Sequence, residues 1–217
     1  MITTILFDFD DTLGNREIYA YENYKRLVLP YVNTDDPFEK EAIIQDCMLY
    51  EQRGNTKKEY VRARVESQYG FKLPYEDFDR MWEENLWRSA VLFDDAEETI
   101  VYLQEKYKLG ILTNGDSYGQ RKKIEQSGLS RWFDERNVII SGDCEFRKPD
   151  PEIFWMMAEK MHAKAEECVF VGDTFGTDII GAIRAGMTPV WIKHQHRRPN
   201  ESAVREIAKI SDLKKWY

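Results

Sequence analysis

The densest chemistry in this 217-residue chain lies near its start, in Phe7-Asp8-Phe9-Asp10-Asp11-Thr12-Leu13. A short apolar run, Ile5-Leu6-Phe7, delivers Asp8 to the carboxyl edge of an expected strand, and Asp10 follows two residues later. On a chain leaving a strand, that spacing lets two carboxylates approach one small volume. Crowded carboxylates repel each other, and a divalent cation with a preference for oxygen relieves the repulsion. The same string also suits a polar turn after a strand, since short motifs recur by chance.

Three further strand ends sharpen the signal. Thr113-Asn114-Gly115 follows Leu109 to Leu112 and offers a hydroxyl and backbone N–H groups in a glycine turn before a helix, which suits a phosphate oxygen. Lys148-Pro149 places a fixed cation on the loop after Val138-Ile139-Ile140. Gly172-Asp173-Thr174, with Asp178 five residues beyond Asp173, adds two acids after Cys168 to Val171. Each string alone has a bland reading as a turn, a solvated lysine, or a helix N-cap with a first-turn acid. In order, at four strand ends, they supply the chemistry of a magnesium–phosphate site.

The elements that must position these groups follow from periodicity. The four runs above and a fifth, Pro189 to Ile192, are short, β-branched or aromatic, and not alternating, as expected of strands buried on both faces of a parallel sheet. Helical segments lie between them: Ala96 to Tyr107, Ser117 to Ser127 ending at Gly128, a helix opened by Asp150 as N-cap with Pro151 after it, and Ile179 to Ala185 ending at Gly186. The alternation predicts a doubly wound α/β layer. Residues 15–90 break it and read as helices only, roughly Arg16–Leu29, Pro37–Arg53, Thr56–Tyr69 and Tyr75–Ser89. The expected organisation is an α/β core over residues 1–14 and 91–217 with a small helical cap inserted after strand one. There the chain leaves the carboxyl end of the sheet, where open α/β sheets bind ligands.

Composition narrows the partners. A formal charge of −8, from 31 Lys+Arg against 39 Asp+Glu, repels phosphate backbones and argues against nucleic acid and anionic membranes. Mean hydropathy is −0.62, and neither a membrane span nor a secretory leader is apparent, so a cytoplasmic protein is expected. Cys47, Cys144 and Cys168 lack metal or disulfide spacing. His194-x-His196 lacks further ligands and reads as loop.

The four motifs, here DFDDT, TNG, KP and GDTFGTD, together resemble those of the haloacid dehalogenase-like (HAD) hydrolase superfamily, and the resemblance spans essentially the whole chain. It implies a Rossmann-like core with a helical cap and Mg²⁺ as cofactor. Asp8 would be the nucleophile that forms an aspartyl-phosphate, and Asp10 the general acid and then base. The ion would be held by Asp8, the Asp10 backbone carbonyl and Asp173, with Asp178 in support. Thr113, the Asn114 N–H and Lys148 would bind the phosphate. The implied activity is phosphohydrolysis of a small phosphorylated metabolite by a monomer or homodimer. The overall likeness leans to the group holding nucleoside 5′-monophosphatases and N-acylneuraminate 9-phosphatases. A phosphomutase of the β-phosphoglucomutase type would share every one of these residues. A 2-haloacid dehalogenase would need no acid at Asp10, and a non-catalytic relative would have lost one of the four key groups. Two positions depart from the family pattern: Asp94-Asp95 replaces a usual Pro-Gly, and Glu145 replaces a frequent glycine three residues before Lys148.

Overall fold

The computed structural model describes residues 1–193, 200, 202 and 204–217. Its strands are β1 (Thr4–Phe7), β2 (Lys108–Thr113), β3 (Val138–Ile140), β4 (Cys168–Gly172), β5 (Thr188–Ile192) and β6 (Arg205–Ile207). The α-helices are α1 (Arg16–Val28), α2 (Pro37–Glu51), α3 (Lys58–Tyr69), α4 (Phe78–Leu86), α5 (Ala96–Gln104), α6 (Ser117–Gln126), α7 (Pro151–Lys160) and α8 (Ile180–Ala185). The chain divides into two compact units, Met1–Asn15 with Leu92–Tyr217, and Arg16–Val91.

In the first unit all six strands run parallel in the order β3-β2-β1-β4-β5-β6. Side chains of β1 alternate between two cores. Ile5 and Phe7 join Ile111, Val171, Ile100 of α5 and Ile124 of α6 on one face. Leu6 joins Leu112, Phe170, Phe154 of α7 and Ala182 of α8 on the other. Both faces are covered, which is why β1 carries no polar alternation. Each fully buried side chain of this size contributes about 1.5–3 kcal/mol. Strand order reverses about β1, so the ends of β1 and β4 lie side by side at the place where such sheets accept ligands.

The sixth strand departs from expectation. Arg205-Glu206-Ile207 has no apolar run and becomes a strand by pairing Val190 with Arg205 and Ile192 with Ile207. Only Ile207 is buried. An edge strand needs little more than one anchored side chain, and its charges conceal it in sequence. At α7 Asp150 stands before Pro151, but its carboxylate accepts from the Arg147 N–H at 3.2 Å rather than from the helix. The unusual Asp95 accepts from the Ser211 N–H at 2.8 Å, which ties α5 to the carboxyl-terminal turn Ile210–Lys215. No helix among the described residues is long and apolar enough to cross a membrane.

The second unit is helical, with Tyr24, Val28, Ile43, Val61, Phe78 and Trp82 in its core. Tyr24 and Trp82 rings meet with centroids 4.2 Å apart. The helices are shorter than periodicity suggests. α2 stops at Glu51 because Gln52 and Arg53 turn left-handed, at φ 49° and 54°. α4 begins at Phe78 because Asp77 accepts from the Arg80 N–H at 2.9 Å. Three charges are buried together here. Glu51 is paired with Arg16 and, at 3.2 Å, with Lys58, and accepts from the Gly54 N–H at 2.7 Å. Burial opposes the Glu51 charge, but Arg16 and then Lys58 outweigh it and hold its carboxyl below the usual range. Burial, reinforced by Arg16, outweighs Glu51 at Lys58 and holds that ammonium below the usual lysine value.

Removing Glu51 would leave two cations facing each other out of water. Glu51→Gln is therefore expected to cost about 3–5 kcal/mol in urea unfolding, as for other broken buried pairs. The sign of the pH dependence follows. A carboxyl held lower in the fold than in the unfolded chain stabilises fully above the ordinary carboxylate range, and the contribution is lost as pH falls through the folded value. The acid-side loss should be shallower in the Glu51→Gln variant; equal slopes in both proteins would contradict the pairing.

Candidate active site

The first motif makes a tight return after β1. Asp8 continues the sheet, donating its N–H to Val171 O at 2.9 Å. The chain then folds back so that Thr12, Leu13 and Gly14 all donate to Phe9 O, at 3.2, 3.0 and 2.8 Å. Asp11 takes a left-handed φ of 58°, a conformation that aspartate tolerates better than most residues. Phe9 is fully buried and its ring occupies the place of a Gly14 side chain, whose Cβ would come within 2.8 Å. Asp8 and Asp10 are thereby fixed on either side of a buried aromatic.

The fourth motif is built as tightly. A π-helical turn, Phe175–Ile179, swings Asp178 back against β4. Such turns collect at functional sites. Asp178 Oδ2 accepts from the Thr174 N–H at 2.9 Å, and a Cβ on Gly172 would lie 2.5 Å from the Asp178 carboxylate. Glycine at 172 is a steric requirement of this approach. Asp173 is held from its backbone, its carbonyl accepting from Trp191 Nε1 at 2.8 Å.

Lys148 joins the two motifs. Its ammonium lies 2.6 Å from Asp8 Oδ1 and 2.7 Å from Asp178 Oδ1, with all three side chains buried. Asn114 clamps the lysine's backbone: Nδ2 donates to Lys148 O and Oδ1 accepts from the Lys148 N–H, both at 2.9 Å. The Asn114 side chain is thus spent on the Lys148 loop, and its backbone N–H is the group expected for phosphate. Thr113 is buried at the end of β2, in register with Ile140.

Burial pushes the Asp8 carboxyl up to about 7; Lys148 opposes this, while Asp178 and Asp10 add to it. Burial would lower the Lys148 ammonium, but Asp178 and Asp8 outweigh it and hold it above the usual lysine value.

Oxygens of Asp8, Asp173 and Asp178 lie within 4.8 Å of one another. With Asp8 ionised, three carboxylates against one ammonium leave an excess of two negative charges, which matches a divalent cation. The donors are all oxygen, as Mg²⁺ prefers. These residues fit the ion. The Asp10 carboxylate stays outside this cluster. It accepts from Lys123 Nζ on both oxygens at 2.8 Å, and Oδ2 also accepts from Gln120 Nε2 at 2.8 Å.

Gln120 and Lys123 are the partners that sequence reasoning missed. They lie three residues apart on α6, where a polar pair reads as a solvated face, yet both are buried. Their one sequence signal is position, on the helix opened by the Thr113-Asn114-Gly115 turn. His194 and His196 lie outside the described residues.

The profile of the haloacid dehalogenase-like hydrolase family matches residues 5–192. Glyceraldehyde 3-phosphate phosphatase of Methanopyrus kandleri is 31% identical over 215 residues, 92% of this chain and 88% of that protein. N-acylneuraminate-9-phosphatase of Mus musculus is 35% identical over 124 residues, 57% of this chain and 49% of that protein, so the match spans about half of that relative. Among solved structures, the Bacillus subtilis protein YfnB bound to magnesium superposes with a TM-score of 0.74 at 26% identity, covering 99% of this chain and 97% of that one.

Proposed function

As the chain belongs to the haloacid dehalogenase-like hydrolase family, we propose that it is a Mg²⁺-dependent phosphatase of a small phosphorylated metabolite, working through an aspartyl-phosphate on Asp8. The observation that carries this reading is the buried Asp8–Lys148–Asp178 chain beside Asp173, with Asp10 held separately at the same sheet edge.

An Asp8 oxygen attacks phosphorus while the bond to the leaving oxygen breaks, and the Asp10 carboxyl gives that oxygen its proton. Asp10, now a carboxylate, takes a proton from water as the water oxygen attacks the aspartyl-phosphate. The bond to Asp8 breaks, inorganic phosphate leaves, and both carboxyl groups return to their starting states. Lys148, the Thr113 hydroxyl and the Asn114 N–H bind the phosphoryl oxygens and stabilise their charge in a site with little water. Mg²⁺, held by Asp8, the Asp10 carbonyl and Asp173 with Asp178 in support, would offset the repulsion between the carboxylate and the incoming phosphate.

The helical unit, entered after Asn15 and left before Leu92, is proposed as the cap that selects the leaving group. The chain re-enters beside its point of exit, since Gly14 bridges Leu92. The names of the relatives direct the choice of substrates toward triose phosphates and phosphorylated sugar acids.

Phosphate release should be measured from triose phosphates, N-acylneuraminate 9-phosphate, nucleoside monophosphates and hexose phosphates, with Mg²⁺ and with EDTA. Release from at least one class, falling by roughly two orders of magnitude or more in EDTA, is expected where a metal stabilises the transferring charge. Release that is equal with EDTA would contradict the metal-dependent mechanism.

A further inference from the structure

The Asp10 carboxylate is held by two side chains that lie outside the four motifs. Lys123 Nζ sits 2.8 Å from both oxygens, and Gln120 Nε2 sits 2.8 Å from Oδ2. Both side chains leave the same face of α6, one turn apart. Asp116 fixes the start of that helix by accepting from the Gly119 N–H at 2.6 Å.

Burying a lysine costs desolvation and about 1.5–2 kcal/mol of side-chain entropy, so its partner must be well placed to hold it there. Lys123 is buried together with its ammonium contact to Asp10. The Gln120 amide has a fixed orientation. Its NH₂ donates to Asp10 Oδ2 and, at 3.0 Å, to Asn114 O, whereas Oε1 is buried and meets no donor among the described residues. Turning the amide over would set its oxygen against a carboxylate and a carbonyl. The orientation seen keeps both N–H contacts, to Asp10 and to Asn114 O.

Gly115 belongs to the same arrangement. A Cβ there would lie 2.7 Å from Gln120 Nε2, and φ is +146°. The glycine of the Thr113-Asn114-Gly115 turn therefore admits the amide that reaches Asp10. Through Asn114, whose side chain clamps Lys148, the amide also links Asp10 to the loop that carries the Asp8 partner.

We propose that Lys123 and Gln120 are positioning residues that fix the direction of the Asp10 carboxylate. The inference rests on the reading of Asp10 as the group that protonates the leaving oxygen. A proton donor aimed wrongly by about 1 Å loses on the order of 100-fold in rate, so the direction of this carboxylate matters to turnover.

The test compares wild type, Lys123→Met, Lys123→Arg and Asp10→Asn on an alkyl phosphate and on p-nitrophenyl phosphate, with Mg²⁺. The methionine keeps the buried stem but not the ammonium; the arginine keeps the charge. Lys123→Met should lose roughly 10- to 100-fold in kcat on the alkyl ester with KM within about threefold, and clearly less on the aryl ester, whose leaving group needs no proton. Lys123→Arg should recover part of the loss. A uniform loss on both esters, or wild-type kcat in Lys123→Met while Asp10→Asn is inactive, would overturn the positioning role.

Crystal structures of wild type and Lys123→Met provide a readout that does not depend on turnover. Asp10 should hold one direction in wild type and divide between directions in the variant. An unchanged, single Asp10 direction in Lys123→Met would overturn the inference even if no phosphate ester proves to be a substrate. Full activity in Asp10→Asn would instead count against the proposed reaction.

Discussion

Asp8→Asn is expected to end phosphate release, with a loss of roughly 10⁴-fold or more, on the scale of removing an enzyme's covalent nucleophile. An amide cannot form the acyl-phosphate and has no charge to offer a cation. The substitution should leave the fold standing. Lys148 keeps Asp178 at 2.7 Å, so its ammonium is not stranded when the 2.6 Å contact to Asp8 is weakened. Burial already disfavours the Asp8 carboxylate, and the neutral amide escapes that penalty. Unfolding midpoints of the two proteins without metal should therefore lie close together. Turnover above about 1% of wild type in a preparation free of deamidated protein would remove Asp8 from the nucleophile's role.

Lys148→Met should damage both activity and stability. Its ammonium is shared by Asp8 and Asp178, and removing it leaves two buried carboxylates facing each other beside Asp173. Breaking a buried pair in this way costs about 3–5 kcal/mol, and here both partners of the lysine lose it. Phosphate turnover should fall about 100- to 1,000-fold, the loss typical of removing one preorganised group that faces the transferring charge. Added Mg²⁺ should restore part of the stability, because a divalent cation relieves the same repulsion, but little of the turnover. Urea unfolding with and without Mg²⁺ separates the two effects. A variant within about 1 kcal/mol of wild type without metal would show that the lysine does not offset the carboxylates.

Much of this site is legible in sequence because its groups stand at the ends of buried parallel strands. Ile5-Leu6-Phe7 and Val169-Phe170-Val171 are apolar on both faces, so the polar residue that ends each run marks the edge of the sheet. The four strand ends could be read in order without knowing which strands pair. What escaped depends on tertiary contact. Gln120 and Lys123 have the spacing of an exposed helix face, and only the packing of α6 against the end of β1 buries them. β6 escaped because pairing with β5 supplies what its own residues lack. The left-handed pair Gln52-Arg53, which ends α2, includes no glycine to announce it. Asp95 read only as a departure from a family pattern, whereas its bond to the Ser211 N–H depends on a segment more than a hundred residues away in sequence.

The place of β1 in the sheet also bears on how the protein is made. It leaves the ribosome before either of its neighbours has been synthesised. Thr4 pairs with Lys108 on one side and with Cys168 on the other, and all of Arg16–Val91 emerges in between. At about 5–20 residues per second, Ile5, Leu6, Phe7 and Phe9 stay unpaired for several seconds while the helical segment, rich in local contacts, can already fold. The strand that leads into Asp8 thus emerges before both of its partners and must wait for them. That order leaves an apolar stretch open to chaperones and to aggregation until the central sheet closes.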